Sequence, residues 1–195
     1  MSFRLRFTAG DVRMLAQERV FDGYFAMDRV TVQHRGFAGG WCDPVTREVF
    51  ERGNAVGVLP YEPESDSLIL IEQFRAGCLH DPHSPWMLEL VAGIVEPGES
   101  DEELERIASY YPSAGACTEH VRLFCGRVLS ARVGDVMGLD EEGEDILVHR
   151  LPRSEVLELL RGDRINNGHT LVALQWLALH GDALRQRWLE GGTAP

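Results

Sequence analysis

The clearest hydrophobic pattern in this chain is a pair of apolar runs separated by turn residues. Ala55-Val56-Gly57-Val58-Leu59 reads as an apolar strand and Pro63-Glu64-Ser65-Asp66 as a turn. Leu68 to Phe74, rich in Ile and Leu, reads as a second strand, so a hairpin is predicted. Upstream, a short helix is expected over Ala9–Glu18, with strands around Tyr24–Met27 and Arg29–His34. Gly39-Gly40 and Cys42-Asp43-Pro44 then break the chain, and Arg47 to Phe50 is a further strand. Downstream, Trp86 to Val91 is a strand ended by Ala92-Gly93, His120 to Val128 alternates as a strand, and Ile146 to Arg150 is the last. Two helices follow: Glu155–Leu160, capped by Ser154, and His169 to Leu179, where Leu171, Leu174, Leu177 and Ala178 form an apolar stripe. Strands first and helices late predict an α+β domain around a mixed sheet, with a small N-terminal β subdomain.

Composition narrows the class without changing that picture. The 195 residues suffice for one well-filled core. No stretch approaches the apolar length needed to cross a bilayer, and the start, MSFRLRFTAGDV, has no continuous apolar run, so a cytoplasmic protein is expected. A net charge of -12 argues against nucleic acid or an anionic membrane as partner. It suits a protein that gathers carboxylates around a divalent metal, although simple solubility explains most surface acid. All nineteen cations are Arg, as a GC-rich genome would produce, and Arg is also the better fork for diphosphate oxygens. Cys42, Cys78, Cys117 and Cys125 form no CxxC pair and read as reduced, structural thiols rather than a zinc site.

Chemistry concentrates in the run WMLELVAGIVEPGESD, Trp86 to Asp101. A buried strand runs into a glycine turn, where Gly93 and Gly98 allow close backbone approach to a ligand. Acid follows at once, and Ser100 with Glu103 three residues on makes a capping box. On these facts alone, a strand, a turn and a solvated acidic helix start would serve equally well.

Gly93, five residues, then Glu99 resembles the opening of the Nudix box, which in that family reads Gly-x5-Glu-x7-Arg-Glu-apolar-x-Glu-Glu-x-Gly-apolar. Matches to the ADP-ribose pyrophosphatase branch run far beyond it: DGYFAMD (Asp22 to Asp28), His34-Arg35, REVFERG (Arg47 to Gly53), IEQFR (Ile71 to Arg75), Pro85-Trp86 and LELVAG (Leu88 to Gly93). SYYPSAG (Ser109 to Gly115), Glu144-Asp145-Ile146 and ALQW (Ala173 to Trp176) continue the likeness. One departure is Ser113-Ala114-Gly115, where the branch carries Ser-Pro-Gly.

The larger departure lies in the box. Counting from Glu99, the box Arg should fall at position 107, which is Ile107, and the chain continues Ala108-Ser109-Tyr110-Tyr111, a segment that in the family belongs to the strand after the box. Roughly twenty residues are missing relative to the family, enough for most of a helix and part of a strand. The fold that the resemblance implies is a Nudix-type mixed sheet with flanking helices and a truncated central catalytic helix. Its N-terminal subdomain, 1–53, serves dimer pairing and substrate contact, and its hydrolase domain spans 54–195.

What the resemblance leaves as metal ligands for Mg²⁺ is the Ala92 carbonyl and Glu144, with Glu142 as general base on the acidic loop Asp140 to Asp145. Glu96, Glu99, Asp101, Glu102, Glu103 and Glu105 lie nearby but read as a solvated acidic face, and Asp101 to Arg106 is a helix remnant far below the ~12–15 residues an isolated helix needs. For substrate, the resemblance points to Tyr24 and Phe25 stacking the adenine, with one of them in the core of the N-terminal sheet as the plainer alternative. It adds Arg47, Glu48, Arg52 and Arg75, then Ile94, where core packing is as good a reading. The small-residue loop Ser113, Ala114 and Gly115, followed by Glu119, suits backbone contact with a sugar. The implied activity is magnesium-dependent cleavage of ADP-ribose, or a related nucleoside diphosphate sugar, to AMP and ribose 5-phosphate by a homodimer. With the box glutamates missing, the chain as written is expected to be inactive or severely impaired, leaving a nucleotide-sugar binding or regulatory protein as the alternative. The histidines show no metal spacing and are read as structural.

Overall fold

The structure, a computed structural model, describes residues 3–94, 104–128, 136–138 and 143–191. They fall into two compact units: residues up to Asn54 together with Tyr111–His120, and Ala55–Tyr110 together with the residues from Val121 on.

In the first unit a 3₁₀ turn, Ala9–Asp11, leads into a three-stranded antiparallel sheet of β1 (Val12–Asp22), β2 (Ala26–His34) and β3 (Val45–Glu51), in that order. The helix expected over Ala9–Glu18 therefore stops after one turn. Met14 to Glu18 are good helix formers, but the ladder with β2, from Val12 opposite His34 to Asp22 opposite Ala26, overrides local propensity. The two strands expected between Tyr24 and His34 are one, β2, and Tyr24 stays in the turn before it. Asp28 of β2 is buried and accepts hydrogen bonds from Arg19 and from Gln17 at 2.7 Å, which together hold its carboxyl below the usual range. The return segment 111–120 binds β3: Phe50 N donates to Ala116 O at 2.7 Å, and Thr118 N donates to Phe50 O at 3.1 Å.

The described residues of the second unit form eight strands: β4 (Ala55–Glu62), β5 (Ser67–Phe74), β6 (Trp86–Glu89), β7 (Val91–Ile94), β8 (Glu105–Tyr110), β9 (Val121–Arg127), β10 (Val136–Met137) and β11 (Ile146–Pro152). The main order is β10-β11-β5-β4-β9-β8, and β4 with β9 is the parallel pair that makes the sheet mixed. β4 and β5 pair only beside their turn, at Tyr61–Leu68 and Glu62–Ser67. Beyond it they diverge, and β6 pairs with the end of β5 while β7 pairs with the start of β4. The single strand expected over Trp86–Val91 is thus broken at Leu90, where the chain crosses from one ladder to the other.

Two helices, α1 (Arg153–Leu159) and α2 (Gly168–Leu189), cover one face. Leu59, Tyr61, Leu68, Leu70, Leu90 and Leu123 pack there against Val156, Leu174, Leu177, Leu184 and Trp188. The other face of β5 buries Ile69 and Ile71 with Val148, so this strand is apolar on both sides. Ser154 lies inside α1 and caps nothing; Pro152 ends β11 and occupies the cap, its fixed φ suiting a sharp entry. α2 runs past the expected Leu179 because Leu184 and Trp188 extend the buried stripe, with Trp188 meeting Tyr61 at 6.0 Å between ring centroids. Glu105 and Arg106, expected in a helix remnant, begin β8 and pair with Cys125 and Phe124 of β9. Glu105 is not part of a solvated face either, since its carboxylate accepts from Arg187 Nη2 at 2.6 Å. The Ser100–Glu103 capping box, Gly98, and acids Glu96, Glu99, Asp101 and Glu102 lie outside the described residues. None of the described helices is long and apolar enough to cross a membrane. The four cysteines are free thiols, and burial pushes that of Cys125 up.

Candidate active site

The crossing at Leu90 is tied to the start of α2. Leu90 belongs to neither ladder, and its buried N–H donates to Thr170 Oγ1 at 2.9 Å. Asn167 caps α2 by accepting from Thr170 N at 3.1 Å, and its own Nδ2 donates to Leu88 O at 2.9 Å. The start of α2 therefore pins the point where β6 becomes β7. Residues of β5, β7 and β11 line a pocket of about 540 Å³, with Ile69, Ile71, Val91 and Val148 as apolar wall and Gln73, Arg75, Ala92 and Glu144 as polar or candidate positions. Three of the residues singled out from sequence, Arg75, Ala92 and Glu144, thus share one cavity. Arg75 reaches it because Ile69, Ile71, Gln73 and Arg75 lie on one side of β5 and its extension. Gly138, at φ +129, sits against the backbone of Glu144: a Cβ there would fall 2.5 Å from Glu144 O.

Sequence reasoning passed over Glu89. Its Oε2 accepts from Arg75 Nε at 2.7 Å and from Gln73 Nε2 at 3.2 Å. The alternation along β5 places Gln73 beside Arg75, but nothing local announces a partner fourteen residues further on.

A second group of predicted residues meets within the first unit. Phe25 is half-buried, edge-on to Phe50 at 5.2 Å, while its neighbour Tyr24 is exposed, with ring centroids 4.7 Å apart. Of the two alternatives for this pair, Phe25 takes the packed position and Tyr24 the open one. The Arg52 guanidinium lies 5.6 Å from the Phe25 ring centroid, and its Nη1 is 3.2 Å from Oε1 of the buried Glu119. That ion pair lacks hydrogen-bond alignment, so Glu119 Oε1 and Arg52 Nε both have no hydrogen-bond partner among the described residues. Ser113, Ala114 and Gly115 form an exposed turn in which Ser113 O accepts from Ala116 N and Cys117 N. Arg47 and Glu48 are exposed on β3, Glu48 at 3.5 Å from Arg29. The backbone of Ile94 ends β7, and Glu142 lies outside the described residues.

Over 207 aligned positions the chain is 37% identical to the ADP-ribose pyrophosphatase of Haemophilus influenzae, covering 96% of this chain and 95% of that protein. The chain belongs to the ADP-ribose pyrophosphatase branch of the Nudix hydrolases. Its Nudix relatives include the Escherichia coli K12 ADP-ribose pyrophosphatase, 35% identical over 93% of this chain and 95% of that one. A GDP-mannose pyrophosphatase of Cronobacter sakazakii is 33% identical over 88% of this chain and 97% of its own length. The crystal structure of an ADP compounds hydrolase superimposes with a TM-score of 0.65 at 19% identity, covering 97% of this chain and 98% of that one, which supports the fold. No family model matches the chain.

Among the described residues no group of three or more His, Cys, Asp or Glu side chains is arranged to hold a metal ion. Among the described residues that line the pocket, Glu144 alone carries a carboxylate, against the near-octahedral shell of oxygens that Mg²⁺ demands. The described donor set does not fit a magnesium site.

Proposed function

We propose that this chain binds a nucleoside diphosphate sugar of the ADP-ribose type and hydrolyses it far more weakly than its relatives, or not at all. One observation carries this reading. Positions 107 and 108, where the box Arg and its following Glu should fall, are Ile107 and Ala108, and both lie in strand β8, which pairs with β9. Ten residues separate the last of β7, Ile94, from the first of β8, Glu105, too few for the box helix. The alignment supports a shortened chain: 207 aligned positions exceed the roughly 187 residues that 96% of 195 supplies, a shortfall of about 20.

Diphosphate cleavage has to neutralise charge on the leaving phosphate and present a water in line. The described residues contribute Arg75 to the first task and supply no carboxylate cluster for the second. Binding needs less. Arg75 offers charge to a diphosphate and, within the first unit, the exposed Tyr24 offers a stacking face. The intended setting is the cytoplasm, and the assembly a homodimer. In support, every residue of β1 is exposed at a sheet edge, including Met14, Leu15 and Phe21.

The test is a melting curve with ADP-ribose. A rise in Tm that grows with ligand concentration, without AMP formation, is the expected result. No shift at millimolar ADP-ribose, with a folded protein, would sink the binding reading.

A further inference from the structure

Resting on that reading, we propose that Glu89 is the positioning residue for Arg75, and that Gln73 in turn steadies Glu89. The chain of contacts is short. Gln73 is 8% exposed and donates through Nε2 to Glu89 Oε2, and the same oxygen accepts from Arg75 Nε. Glu89 lies on β6 opposite Ile71, and Gln73 lies two residues along β5 on the same side, so the ladder itself sets the diagonal contact. The Glu89 side chain is 14% exposed and that of Arg75 is 44% exposed.

The chemistry follows from which edge of the guanidinium is used. A carboxylate on Nε occupies one side of the fork. Among the described residues, both terminal nitrogens of Arg75 have no hydrogen-bond partner, on a residue that lines the pocket. Two coplanar N–H groups at that end match a pair of phosphate oxygens, and fixing Nε removes much of the freedom the side chain would otherwise lose on binding. A negative charge beside a diphosphate site repels the ligand. Glu89 is therefore useful only through Arg75, and its removal should harm binding only while Arg75 is present.

The experiment is calorimetric titration of the full chain with ADP-ribose, for the parent, Glu89→Ala, Glu89→Gln, Arg75→Ala and the double variant Glu89→Ala/Arg75→Ala. Glu89→Ala should weaken binding roughly tenfold, and Glu89→Gln, which keeps an acceptor for Nε, less. In the Arg75→Ala background, Glu89→Ala should leave affinity unchanged or improve it. A purely structural role would instead lower affinity in both backgrounds and lower Tm in step. If the parent binds and Glu89→Ala binds equally well, or if the two losses simply add, the positioning role is wrong while the binding reading survives. If the parent itself does not bind, both fall together.

Discussion

Replacing Thr170 by Val tests whether the start of α2 holds the crossing between β6 and β7. The substitution keeps the shape and removes the hydroxyl that accepts from Leu90 N at 2.9 Å. Thr170 is 0% exposed and Leu90 2%, so no water reaches the freed N–H. An unsatisfied buried donor costs about 1–3 kcal/mol. For a chain of this size each kcal/mol lowers Tm by roughly 2–4 °C, which predicts a fall of about 2–12 °C. Thr170→Ser keeps the acceptor and removes one methyl, a loss near 0.8 kcal/mol. Urea titration followed by circular dichroism gives the comparison, and the midpoint for Thr170→Val should drop without a change in slope. A midpoint equal to the parent's would refute the idea that this single bond secures the crossing.

Gly138→Ala should be destabilising, because its Cβ would meet Glu144 O at 2.5 Å in a φ +129 conformation. The urea midpoint should fall as well, and an unaltered midpoint would show that the contact with Glu144 does not constrain Gly138. Arg52→Met should lower stability by roughly 1–3 kcal/mol by stranding the buried Glu119 carboxylate. Adding Glu119→Gln should recover part of that loss in the same denaturation assay. Asp66 gives a pH signature. Burial alone would raise its pKa, but the hydrogen bond from Tyr61 at 2.6 Å and those from Arg153 outweigh that and hold it low. A depressed folded pKa means the carboxylate stabilises the fold above its unfolded value of about 4 and loses that contribution as pH falls through the lower folded value. Stability should therefore decline below about pH 4, and Asp66→Asn should flatten the decline.

The parts legible in sequence were those whose burial writes a local rhythm. The β4–β5 hairpin shows as two apolar runs around Pro63 to Asp66, and α2 as the stripe of Leu171, Leu174 and Leu177. β1 was not legible, since its Met, Leu, Ala, Gln and Glu favour a helix and it buries nothing, so only pairing with β2 makes it a strand. The break at Leu90 has no local signal because its partner, Thr170, lies eighty residues away. Arg75, Ala92 and Glu144 were chosen by resemblance; they come from the end of β5, from β7 and from the segment before β11, so no local pattern announces that they share a cavity. Glu89 escaped notice because a carboxylate that serves an arginine carries no spacing rule of its own.

Weak hydrolysis is proposed because only ten residues separate β7 from β8. Its most direct test is release of AMP from ADP-ribose in the presence of Mg²⁺, run on the 195-residue chain and on the same chain with a relative's box segment inserted between Ile94 and Glu105. Binding with little or no AMP is expected from the first, and substantial AMP from the second. AMP and ribose 5-phosphate formed by the uninterrupted 195-residue chain at a rate matching its ADP-ribose pyrophosphatase relatives would contradict it.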